Sequence, residues 1–107
     1  MSSYSLSLFD QEQWLLLLRK QEKERPKVCQ ITANNLLQTT DLHISTIMSA
    51  YSSLAIAHWK TDDYALALSY AYTVMELLTG GCFLDSELGI ELSAEMNEVI
   101  SRCASAG

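Results

Sequence analysis

The sequence predicts an all-α fold of about five antiparallel helices, on three observations. Chain breakers are scarce: the 107 residues include one proline and four glycines. Leu, Ala, Ser and Glu are abundant, which favours helices over a sandwich or barrel. Apolar residues recur three and four positions apart in successive segments, and turn or capping residues separate those segments. The length suits one domain, residues 1–107.

The first helix should start at Asp10, an N-cap residue, with Gln13 completing a capping box and Phe9 and Trp14 forming a hydrophobic staple. It should end near Glu24, because Pro26 disfavours helical backbone at Arg25. Its WLLLL centre is apolar all round, and its RKQEKER end is charged and solvated. A second helix can open on Pro26, bury Cys29, Ala33, Leu36 and Leu37, and end near Thr39–Asp41.

The third helix spans about Ser45 to Lys60 and carries Ile47, Met48, Tyr51, Leu54, Ala55, Ala57 and His58. The fourth follows Thr61-Asp62, with Tyr64, Ala67, Leu68, Ala71, Val74, Met75 and Leu78, and stops at Thr79-Gly80-Gly81. The last starts at Asp85 or Ser86. One of its stripes is Leu88, Leu92, Met96, Val99 and Cys103; another is Glu87, Glu91, Glu95 and Glu98. The first stripe is for packing and the second reads as a solvated face. Residues 104–107 should fray.

The formal charge is −6. Phosphate backbones need a basic face, so DNA and RNA are poor partners. Residues 19–27 hold five of the seven basic side chains, whereas from Val28 onward nine acidic residues face two basic ones. The interleaved Glu22 and Glu24 point to a helix end held in local ion pairs. The three cysteines, Cys29, Cys82 and Cys103, have no metal-ligand spacing and read as buried free thiols of a reducing cytoplasm. No apolar run approaches a membrane span, and the N-terminus lacks the charged start of a secretory signal. His58 lies within a packing pattern. His43 beside Asp41 is a weak catalytic signal, and no catalytic, metal or cofactor motif accompanies it. No enzyme activity is expected.

The stretch AYSSLAIAHWKTDDYALALSYAYTVMEL, Ala50 to Leu77, resembles a tetratricopeptide repeat. It has Tyr51 early in its first helix, then Leu54-Ala55, His58, the turn Asp62-Asp63, Tyr64 opening the second helix and Ala67 three residues later. His58 stands where tyrosine is usual and Asp62 where glycine is usual, and no proline closes the unit. The resemblance implies a degenerate repeat at 10–40, a hairpin at 45–79 and a capping helix at 85–104.

It also implies a concave groove lined by first-helix residues not used for packing. Here those are Ser49, Ser52, Ile56, Trp59 and Lys60, with Ile90 from the capping helix and Leu18 from the first. Ile56 and Trp59 are large apolar side chains outside the packing pattern. The competing expectation is that Trp59 packs on the first or last helix. The groove would hold an amphipathic helix or extended segment of another protein. In size, acidity and fold the chain resembles the small cytosolic chaperones of bacterial type III secretion, some of which hold needle or translocator subunits. The alternatives are a structural subunit or homodimer joined through apolar helical faces, and a regulatory adaptor.

Overall fold

The computed structural model describes residues 6–106. They form five helices: α1 (Leu8–Glu24), α2 (Pro26–Leu37), α3 (Ile44–Lys60), α4 (Tyr64–Gly80) and α5 (Glu87–Ala106). No strand occurs among the described residues. No helix there is long and apolar enough to cross a membrane.

The first element starts earlier than its sequence suggests. Ser7 is the N-cap of α1, its hydroxyl accepting the Asp10 N–H at 3.1 Å. Asp10 therefore sits in the first turn, where its charge favours the positive end of the helix dipole. Phe9 is 67% exposed, so no staple with Trp14 forms. Buried Gln11 explains the earlier start. Its amide donates to the Leu6 carbonyl, while its carbonyl accepts from the His43 N–H (3.0 Å) and the Thr46 hydroxyl (2.7 Å). One side chain thus ties the start of α1 to the start of α3.

α2 ends at Leu37, short of the expected Thr39–Asp41. α3 is capped by His43, whose ring Nδ1 accepts the Ser45 N–H at 3.1 Å. That contact gives this histidine a structural task. Gln30 of α2 donates to the Ala57 carbonyl and the Thr61 hydroxyl, satisfying the far end of α3.

α3 and α4 end in the same way. Past α3, the Asp62 N–H bonds the Trp59 carbonyl and the Asp63 N–H bonds the His58 carbonyl. Past α4, the Cys82 N–H bonds Thr79 and the Phe83 N–H bonds Leu78. These are paired Schellman bonds. The left-handed residue falls on Asp62 (φ 63°) and Cys82 (φ 59°), not on Gly80 or Gly81. In this turn Cys82 is exposed, contrary to the expectation that all three thiols are buried. α5 begins where the Ser86 hydroxyl accepts the Gly89 N–H (2.9 Å). A Cβ at Gly89 would run into the Phe83 carbonyl oxygen, so glycine is what lets this helix start so close to the preceding turn. The helix continues to Ala106, through residues expected to fray.

α3 is the centre of the molecule. It packs against all four other helices, whereas α2 and α4 do not approach each other. α1 and α5 each pack against α3 without meeting each other. Two cores share α3. One gathers Leu18, Cys29, Ala33, Leu36, Ala50, Leu54 and Ala57. The other gathers Met48, Ala55, Ala67, Ala71, Val74, Leu78, Leu92, Met96, Val99 and Cys103. Small residues on α3 let its neighbours approach closely on several sides, and fully buried leucines fill the gaps at about 1.5–3 kcal/mol each. Tyr70 of α4 borders both cores. It stacks between Tyr51 (5.8 Å) and His58 (5.5 Å) of α3.

Candidate functional site

Ile56, Trp59 and Lys60 lie three and four residues apart, and so share one face of α3. Glu95, Glu98 and Val99 repeat that spacing on α5. The two triplets face each other across an open cavity of about 200 Å³. Its floor is apolar, from Ile56, Val99 and the Trp59 ring, and its rim is charged.

The acidic rim is internally neutralised. Arg102 of α5 bonds Glu98 through Nε (3.1 Å), and its guanidinium lies 5.6 Å from the centre of the Trp59 ring. Arg19 of α1 reaches over to Glu95 with two hydrogen bonds, of 2.8 and 3.2 Å. The backbones of α1 and α5 do not meet, so this forked pair spans the α3 surface between them. Beneath it, the Ser52 hydroxyl donates to Glu95 at 3.4 Å and the Ser53 hydroxyl donates to Glu22 at 2.6 Å. Arg19 also pairs with Glu22 at 3.2 Å. Lys60 alone in the cavity wall has no ion-pair partner among the described residues.

Burial raises the Glu22 carboxyl above its ordinary range, more than the Ser53 and Arg19 contacts lower it, and the neighbouring Glu95 charge adds to the rise. Burial also works against the Arg19 charge, but two carboxylates outweigh it and the guanidinium is held above its ordinary value. Burial, with Glu22 next, pushes the Cys29 thiol up to about 12, so it is an inert core group.

The residues expected to line the groove separate into three sets. Ile56, Trp59 and Lys60 come together in one cavity. Leu18 and Ser52 are fully buried and Ser49 nearly so; Leu18 packs in the α1–α2–α3 core and Ser52 lies under the Arg19–Glu95 pair. Ile90 is 60% exposed and does not line the cavity, because it lies on the side of α5 opposite Val99. Trp59 combines both of its sequence readings: it packs on the α5 core and also forms a cavity wall. Sequence reasoning missed Glu95, Glu98, Val99 and Arg102 as site residues. The Glu87–Glu98 stripe was the available signal, taken there for a solvated face. The stripe of Leu92, Met96, Val99 and Cys103 is an internal seam.

No protein-family profile, curated protein or solved structure matches this chain.

Proposed function

We propose that the protein is a binding module, or a dedicated chaperone, that holds a helical or extended segment of a partner protein in the groove between α3 and α5. One observation carries this reading: the open cavity walled by Ile56 and Trp59, where apolar side chains of α3 and α5 border open space. The packing of each helix on its successor, and of α3 on both α1 and α5, supports kinship with tetratricopeptide hairpins. Size and acidity support the narrower likeness to small chaperones of type III secretion. Three free cysteines, Cys82 among them exposed, support a reducing cytoplasm as the place of action.

Affinity capture from the native cell tests this with three baits: the wild type, Trp59→Glu and Ile90→Glu. The expected result is a partner retained by the wild type and Ile90→Glu and lost by Trp59→Glu, with all three baits equally helical by circular dichroism. Equal capture by Trp59→Glu would sink the groove assignment.

A further inference from the structure

The two ends of the helical array are finished differently. At one end, the outward side of α5 carries a single large exposed apolar side chain, Ile90, among Glu, Asn and Ser residues. That is how a terminal repeat is made soluble. At the other end, α1 and α2 are covered only on the side of α3. Their far side exposes Leu16 (64%), Leu17 (42%), Val28 (40%) and Ile31 (63%). Between them runs a cleft of about 230 Å³, lined by Leu17, Lys20, Gln21, Glu24, Arg25 and Val28.

Positive charge predominates around this cleft, with Lys20 and Arg25 in its wall against one carboxylate, Glu24. The spacing of Glu22 and Glu24 predicted local ion pairs, yet Glu22 pairs only with Arg19, which faces the other way toward Glu95. Lys20, Lys23, Arg25 and Lys27 have no ion-pair partner among the described residues. Two of these cations, Lys20 and Arg25, line the cleft with one carboxylate, Glu24, and Lys23 and Lys27 are their near neighbours in sequence, on a chain whose net charge is −6. The Gln21 side-chain oxygen, in the cleft wall, is buried without a hydrogen-bond donor.

We infer that the outer side of α1 and α2 is a second docking surface, separate from the α3–α5 groove, and that it takes an acidic amphipathic helix of another protein. A helix fits because two neighbouring helices offer the ridge-and-groove surface on which a third one packs. Acidity fits the four unpaired cations, and the rest of this molecule offers such a segment little attraction. A two-fold pairing of this surface with its own copy would set two net-positive patches against each other, which disfavours a symmetric dimer.

The probe is a blocked amphipathic peptide of about four helical turns, with leucines three and four apart and glutamates beside them. A second peptide has lysine for each glutamate. Fluorescence anisotropy with the full chain should give about tenfold tighter binding of the acidic peptide. Added salt should weaken it, and Lys20→Glu with Arg25→Glu should weaken it by about tenfold while helicity is unchanged. Trp59→Glu should leave it unaltered, which separates this surface from the groove. Equal affinity for the two peptides, no binding of either, or loss of binding in Trp59→Glu each overturns the inference. So does concentration-dependent sedimentation abolished by the charge reversals, which makes the occupant a second copy. Flotation of the protein with vesicles of phosphatidylcholine and phosphatidylglycerol likewise replaces the helix by a lipid surface.

Discussion

Three residues hold left-handed backbone without being glycine: Asp41 and, at helix ends, Asp62 and Cys82, the last two with different help. Asp62 belongs to a residue type that tolerates this region, and its carboxylate accepts the Tyr64 hydroxyl at 3.0 Å. Cys82 is exposed and has no such bond. Cys82→Gly should therefore stabilise the protein by about 1 kcal/mol, and Asp62→Gly by less, about 0.3 kcal/mol or nothing. Urea unfolding midpoints measure both, and a larger gain at Asp62 would contradict the assignment. The glycine pair at the end of α4 marked the stop in the sequence within two positions. It did not mark the residue that turns, because the last hydrogen bonds of the helix, from Phe83 to Leu78 and Cys82 to Thr79, decide that register.

At the scale of the element, α1 is the instructive one. Ser7 and Asp10 both have capping chemistry, and local pattern favoured the second because Gln13 and Trp14 followed it at the right distances. The choice is tertiary. Gln11 is buried, and three hydrogen bonds hold it to Leu6, His43 and Thr46. Ser7→Ala should cost about 1 kcal/mol, and Asp10→Ala about half of that, the part due to the helix dipole. A greater loss at Asp10, read by the same unfolding assay, would place the start of the helix where the sequence suggested. Ends aside, element type was legible everywhere, since the three-and-four spacing of buried residues such as Leu92, Met96, Val99 and Cys103 depends only on the helix period.

Across the whole molecule, one ionic network joins the first, third and last helices. Nothing local signals it: Arg19 and Glu95 are 76 positions apart. Of the residues expected in a groove, Leu18, Ser49, Ser52 and Ile90 fall outside the cavity, while Ile56, Trp59 and Lys60, set by periodicity on a single helix, line it together. The network also sets a pH response. A carboxyl whose folded pKa exceeds its unfolded one binds its proton more tightly in the folded chain, so protonation favours folding. The contribution of Glu22 is therefore most favourable below the ordinary value near 4.5 and is lost as pH rises through the raised folded value. The unfolding free energy of the wild type, relative to Glu22→Gln, should grow as pH falls from neutrality into that window. Denaturation at a series of pH values measures the difference; a flat or falling difference would mean that Arg19 outweighs burial at Glu22.

The sharing of α3 between both cores has a further consequence, for cooperativity. In a linear array, a terminal unit can peel away while the remainder stays intact. Here the unit that would remain is not independent. Ala50, Leu54 and Ala57 face one core while Met48 and Ala55 face the other. Loosening either side strips one flank of the same helix and leaves its tyrosine–histidine stack half-supported. The five helices should therefore unfold as one unit, in a single transition.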